Sequence, residues 1–313
     1  MKEKFLIYLK GIGMGAADVV PGVSGGTIAF ITGIYENLLD AIRSVDLQAL
    51  QLLLKFDLKG LWTKVNGPFL LPLMAGIFTA IFTLAKLMRF LLSDYPIMIW
   101  SFFFGLIIAS ALLVSKQVKQ WGVQSIIALL IGTVISYYIT IAAPAEAPEG
   151  LGYIFLAGAI AICAMILPGI SGSFILLLLG QYNRVLTAVS NLDITKIATF
   201  GAGCVVGILA FSRVLHFLLK RYHDATVALL TGFMLGSLNK VWPWKETVST
   251  YTDRHGVVKP LIEENILPQY YEGENHLVLA ICLAFAGFFM VYGIEKIAEK
   301  FNTPKREAVH TEG

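Results

Sequence analysis

Charge is what this chain has least of. Asp, Glu, Lys and Arg make up 14% of its 313 residues, against about 25% in a soluble domain. So few charges cannot clothe a water-facing surface. With 57% hydrophobic residues and a mean hydropathy of +0.73, the composition is that of a polytopic membrane protein. Cysteine is nearly absent too. Cys163, Cys204 and Cys282 all lie inside apolar runs, which argues against a disulfide framework, and no His or Cys spacing suits a metal ion. Ser-His-Asp, zinc and phosphate-loop nucleotide motifs are missing as well, so neither a metal nor another cofactor is expected. The net charge of +3 is dispersed over the loops and gives nucleic acid nothing to hold.

What is present is a repeat. Pro21-Gly22-Val23-Ser24-Gly25-Gly26-Thr27 returns as Pro168-Gly169-Ile170-Ser171-Gly172-Ser173-Phe174, 147 residues later. The register holds to about Ile42 and Val189, matching Gly33 with Gly180 and Tyr35 with Tyr182. A second register, offset by 127, matches Ala75-Gly76 with Ala202-Gly203, Lys86 with Arg213, Arg89 with His216, Tyr95 with Tyr222 and Gly105 with Gly232. The difference, 147 − 127 = 20, is the number of extra residues in the first half, within the polar, amphipathic stretch 43–67.

The expected fold is therefore an all-α polytopic membrane protein built as an inverted structural repeat. The first half, 1–143, has a re-entrant helical hairpin over 5–42 and spans at 68–92, 96–114 and 122–142. The second, 144–297, has a hairpin over 151–190 and spans at 198–219, 225–241 and 277–295, and residues 298–313 are a cytoplasmic tail. The segment after each break, 24–42 or 170–190, reads as one helix, and 242–275 as a polar loop with Trp242 and Trp244 in the interfacial belt. Three spans per half invert the second half. With the termini inside, Lys2, Lys4, Lys10, the basic 43–67 stretch, Lys116, Lys119, Lys220, Arg221 and the tail fall on the cytoplasmic side. Glu146, Glu149 and the acidic 242–275 loop fall outside, the partition that the positive-inside rule demands.

Paired breaks in membrane helices have a chemical use. Non-helical backbone survives at membrane depth only when buried in protein or lining a cavity, and helix N-termini offer unpartnered N–H groups and a positive dipole end. Ser24, Gly25, Gly26 and Thr27 from one break, with Ser171, Gly172 and Ser173 from the other, read as a phosphate or carboxylate cradle. Lys86 and Arg213 lie inside their spans, where charge is expensive unless it serves a site. They are the candidate cations, and Asp18, Arg89, His216, Glu36 and Arg184 are candidates for a charge relay or outer support. Simple helix bending and snorkelling are the competing structural readings.

Asp18-Val-Val-Pro21-Gly22-Val-Ser24-Gly25-Gly26-Thr27 and Leu167-Pro168-Gly169-Ile-Ser171-Gly172-Ser173 resemble the bacterial polyprenyl-phosphate translocases of the PopT type, over about residues 5–297. The resemblance implies a non-enzymatic flippase of the plasma membrane. It would recycle undecaprenyl phosphate from the outer to the inner leaflet by alternating access, with a polyprenyl-phosphate lipid and the bilayer as its partners. The Pro-Gly-x-Ser element is also similar to one in integral-membrane undecaprenyl-pyrophosphate phosphatases. Those carry an Arg after the Ser, where this chain has Gly25 and Gly172. A small-anion transporter and an intramembrane phosphatase are the alternatives.

Overall fold

The computed structural model describes residues 2–19, 24–142, 150–252 and 258–302, and these are mostly helical. The first half runs α1 (Lys2–Asp18), α2 (Gly25–Ile31), α3 (Tyr35–Arg43), α4 (Leu47–Leu54), α5 (Leu58–Lys64), α6 (Gly67–Asp94), α7 (Pro96–Ser115) and α8 (Val123–Ile141). The second runs α9 (Leu151–Ile166), α10 (Gly172–Leu178), α11 (Tyr182–Ser190), α12 (Ile194–Arg221), α13 (His223–Ser237), the strands β1 (Lys245–Thr252) and β2 (Val258–Asn265), and α14 (Leu277–Asn302).

The duplication read from the sequence recurs as local structure. α2 and α10 have 7 residues each, α3 and α11 have 9, and α6 and α12 have 28. The single residues that join α6 to α7 and α12 to α13 share one conformation: Tyr95 at φ −134°, ψ 50° and Tyr222 at φ −131°, ψ 50°. The extra residues of the first half form α4 and α5, capped by Asp46, which accepts from Ala49 N, and Asp57, which accepts from Gly60 N.

Two expectations need correction. Residues 24–42 and 170–190 are not single helices. Each is two short ones, divided at Gly33 (φ +70°) and Gly180 (φ +63°), a backbone region that glycine enters without a steric penalty. The 242–275 stretch is not only loop, because β1 and β2 pair antiparallel there. Trp242 Nε1 donates to Ile266 O at 2.8 Å and Trp244 Nε1 to Asn275 O at 2.9 Å. Trp244 is buried beside Ile97 and Ala280, so both indoles fasten this segment to the helices. Of the acidic linker expected at 143–150 between the halves, residues 143–149 lie outside the described residues, as does the tail from 303.

Among the described residues four helices, α6, α7, α8 and α12, are long and apolar enough to cross a bilayer. α13 is shorter but lies at the centre, with Val227, Ala228, Leu230 and Met234 fully buried. It packs mainly on α8 and α7, so protein covers it where lipid would cover a longer helix. The long helices associate in four pairs: α1 with α6, α9 with α12, α7 with α14, and α8 with α13. In the last pair a side-chain carbon on Gly232 would strike Leu129 O, and one on Gly236 would strike Thr133 O. Four residues forward on one helix is four forward on the other, so the two run in the same direction. The same holds for α1 and α6, where Gly11 abuts Leu73 O and Gly15 abuts Ile77 O, and for α9 and α12, where Gly203 abuts Phe155 O and Gly207 abuts Ala159 O. Along α7 and α14, Gly105 abuts Ala284 O, and the Lys116–Glu295 ion pair (4.0 Å) closes the far end, again with both helices running one way. Small residues at these contacts let backbones touch, which is how helices associate without a hydrophobic driving force between them.

These contacts predict a position-specific sensitivity. Gly232→Leu forces a side chain into a backbone carbonyl and is expected to cost about 1–3 kcal/mol. Gly201→Leu, at a helical position with open space around it, should be neutral or slightly stabilising. Thermal unfolding in detergent separates the two; equal melting temperatures would contradict the close packing of α8 on α13.

Candidate functional site

The two breaks are in contact. Ser24, the N-cap of α2, accepts from Gly26 N at 3.1 Å while its hydroxyl donates to Met165 O at 2.8 Å, across to the end of α9. Thr27 Oγ1 accepts from Gly169 N at 3.1 Å, inside the second break. Tyr35 OH donates to Ile166 O at 3.0 Å, and Gly26 lies so close that a side chain there would strike the same carbonyl. The start of α2 is thus laid along the end of α9 and the turn that follows it. That turn needs its glycine twice over. Gly169 has φ +85°, and a side chain on it would lie 2.9 Å from Met234 Cα on α13.

The described residues of the first break are enclosed. Ser24 and Thr27 are each 1% exposed. The first N–H groups of α2 are already partnered: Gly25 N donates to Asp18 Oδ1 at 2.7 Å, Gly26 N to the Ser24 hydroxyl, and Thr27 N to Ser24 O at 2.9 Å. Asp18 therefore stitches α1 to α2 across the break. The second break is less enclosed. Ser171 Oγ and Ser173 Oγ share a hydrogen bond of 2.9 Å, Ser171 does not cap α10 with its side chain, and Ser173 is exposed. Pro21, Gly22 and Val23, part of the first break, lie outside the described residues.

The other candidates are not gathered at the breaks. Arg213 is exposed and donates from Nη1 to Leu209 O at 2.9 Å, back onto its own helix. His216 Nδ1 lies 3.1 Å from Asp40 Oδ1, tying α12 to α3. Glu36 lines a cavity of about 160 Å³ with Gly33, Tyr35, Gln117 and His223. Arg184 Nη1 lies 3.5 Å from the Oε1 of Gln181. Lys86 and Arg89 belong to α6, but their side chains lie outside the described residues. Sequence reasoning missed Gln181, which is 2% exposed. The signal was there: in the 147-residue register Gln181 stands opposite Ile34, a polar residue where the other copy is apolar. It also missed that Thr27 and Tyr35 reach across to the other half.

What these features define is a multi-pass helical membrane protein whose two similar sets of helices meet at paired, polar interruptions. The profile of the undecaprenyl phosphate translocase-like family matches residues 14–259, and the chain belongs to that family. Two curated relatives are each named polyprenyl-phosphate transporter. The one from Vibrio cholerae serotype O1 is 48% identical over 297 residues, 94% of this chain and 96% of its own. The one from Staphylococcus aureus is 32% identical over 259 residues, 77% of this chain and 87% of its own. No solved structure matches.

The cross-break bonds predict an uneven cost of substitution. Thr27→Val leaves the buried Gly169 N–H without its acceptor and should destabilise by about 1–3 kcal/mol. Ser173→Ala, at an exposed site, should stay within about 0.5 kcal/mol. Chemical denaturation of the purified variants in detergent measures both; a silent Thr27→Val would mean that the breaks are held together by other contacts.

Proposed function

We infer that this chain is a transporter of polyprenyl phosphate, of the undecaprenyl type, and not an enzyme. The observation that carries this is 48% identity across almost the full length of both chains to a protein named for that transport. The rival readings gain nothing specific: Gly25 and Gly172 occupy the places at which the similar phosphatase element has Arg.

An inverted arrangement of halves, 1–143 and 144–297, is supported by helix direction. One linking residue, Tyr95 or Tyr222, joins two long helices and makes the chain double back. α8 and α13 run the same way, and so do α7 and α14. The path α12–α13–α14 then opposes α6–α7–α8. α1 and α9, at 17 and 16 residues, extend about 24–26 Å, short of the roughly 30 Å hydrocarbon core, which fits re-entrant hairpins over 5–42 and 151–190. In the bacterial plasma membrane, with both termini and the tail 298–313 cytoplasmic, this orientation also satisfies the positive-inside rule.

In the proposed cycle the closed breaks part, and the phosphate replaces their mutual bonds. Its oxygens accept from Gly169 N, from the donors at Gly25, Gly26 and Gly172, and from the hydroxyls of Ser24, Thr27, Ser171 and Ser173. The polyprenyl chain stays in lipid, and the halves open to each leaflet alternately. Lys86 is eight residues from the end of α6 and Arg213 eight from the end of α12. Because those helices oppose one another, the two cations lie toward opposite faces and attend the head group in turn, each lowering the cost of carrying charge through hydrocarbon. Asp18, Glu36, Arg89, Arg184 and His216 support the moving elements.

Proteoliposomes with a labelled polyprenyl phosphate test the transport. Wild-type protein should exchange the lipid between leaflets, and Lys86→Ala and Arg213→Ala should each slow exchange by about tenfold or more, the loss expected from removing one charge-assisted contact. Wild-type rates in both variants would remove the cations from the cycle. Orientation has its own readout in a cysteine-free background. Asp94→Cys should be labelled from outside the cell and Arg221→Cys from inside; labelling of both from one side would contradict the inversion.

A further inference from the structure

Beside the second break is a cavity of about 400 Å³, between the last turn of α8, the start of α10 and the β hairpin. One wall is apolar, with Tyr137, Ile141, Phe174 and Leu177; the other carries Lys240, Lys245 and Glu263. Lys240 falls in the expected span 225–241, which the structure ends at Ser237, and Lys245 in the acidic 242–275 stretch; the proposed orientation places both at the outer face.

Both cations are drawn inward. The Lys245 side chain is 8% exposed; its ammonium donates to Lys240 O at 2.9 Å and sits 4.3 Å from the centre of the Trp100 ring. The Lys240 ammonium lies 4.7 Å from the centre of the Phe174 ring, one residue beyond Ser173. Burial lowers Lys240 from the usual lysine range and takes Lys245 down to about 8. Glu263 is the carboxylate between them, at 3.8 Å from Lys240 and 3.7 Å from Lys245. Charge-assisted hydrogen bonds close to about 2.7–2.9 Å, so both pairs are loose. Glu264 also lines the cavity but makes no ion pair with either lysine among the described residues. Two ammonium groups therefore share one distant carboxylate, in a pocket with room for more.

The equivalent positions in the other copy carry no such pair: in the 127-residue register Lys240 and Lys245 fall on Leu113 and Val118, both buried and apolar.

We propose that Lys240 and Lys245 form a loading site for a phosphomonoester head group, with Glu263 as a resident counter-ion that the phosphate displaces before it passes to the adjoining Ser171–Ser173 break. The site rests on the transport reading and gives it a preferred entrance. Two phosphate oxygens can meet both ammonium groups at contact distance, which a single carboxylate held on β2 does not do. The apolar wall takes the first carbons of a hydrocarbon chain.

The test is leaflet exchange by the full chain in proteoliposomes, with labelled polyprenyl phosphate presented on the face that carries the β hairpin. The Lys240→Ala/Lys245→Ala double variant should raise the half-saturating lipid concentration about tenfold while its maximal rate stays within about twofold. Lys245→Arg should restore most of the loss, and Glu263→Gln should lower half-saturation below wild type, the opposite of what a merely structural salt bridge would give. Inorganic phosphate in excess should compete poorly, since it gains nothing from the apolar wall; competition on a par with the lipid would assign the cavity to a free anion and overturn the lipid entrance. Unchanged half-saturation in a double variant that melts like wild type would overturn the loading site alone. A wild-type protein that exchanges no lipid would overturn the transport reading itself, and the site with it.

Discussion

A backbone N–H group buried away from water must find an acceptor, and at the centre of this protein the acceptor comes from the other half. Gly169 N donates to the Thr27 hydroxyl, and Ser24 returns a bond to Met165 O. The second break draws an acceptor for Gly169 N from Thr27, and its neighbouring carbonyls Met165 O and Ile166 O accept from Ser24 and Tyr35 of the first, as non-helical backbone in an apolar environment requires. The rest of the structure brings the two together. The glycine contacts along α1 with α6 and α9 with α12 hold the helix before each break against a long helix, and α13 presses on the second turn through Met234. In the proposed cycle those same interfacial bonds are what a phosphate replaces. Closure without ligand and opening around ligand then draw on one set of donors, and neither state leaves them bare.

The third long helix of each half packs on the middle helix of the other, α8 on α13 and α14 on α7. The halves are therefore interlocked rather than merely adjacent. In the proposed cycle, a motion that opens one side would be carried by elements outside this exchange. The candidates are α2, α3, α10 and α11, short helices divided by Gly33 and Gly180; α2 and α3 pack into the apolar core through Phe30, Tyr35 and Leu39, and His216 with Asp40 adds a polar tie between α12 and α3. The electrostatics differ between the ends. Glu36 and His223 line the cavity near α3, whereas Lys240 and Lys245 line the one near α10. In the proposed cycle this difference between the ends gives loading a preferred direction.

Much of this was legible in the sequence because duplication writes itself twice. The two offsets located the breaks, the long helices and the inserted segment, and composition gave the membrane. The turn at Gly33 was visible as a matched glycine, but its positive φ was not, since the surrounding apolar run has a helical pattern on both sides. The β hairpin was hidden by polar residues that read equally as loop, and the indoles of Trp242 and Trp244 looked like belt residues until their N–H partners were seen. The residues proposed as a cradle stand out in the motif, but their present bonding does not. Nothing in Ser-Gly-Gly-Thr says that its hydroxyls and amides are already bonded to α9, to Asp18 and to Gly169. Lys240 was passed over because the expected span 225–241 absorbed it, and Lys245 because the acidic residues of the 242–275 stretch outnumber it.

The central claim is that the two breaks jointly hold the phosphate of the lipid. Solid-state NMR on the reconstituted protein, with glycine labelled at nitrogen-15 and polyprenyl phosphate supplying phosphorus-31, measures it directly. Phosphorus should dephase the amide signals of Gly169 and Gly172 together with those of Gly25 and Gly26. Dephasing confined to other glycines, or to one break with the other untouched, would contradict a shared cradle.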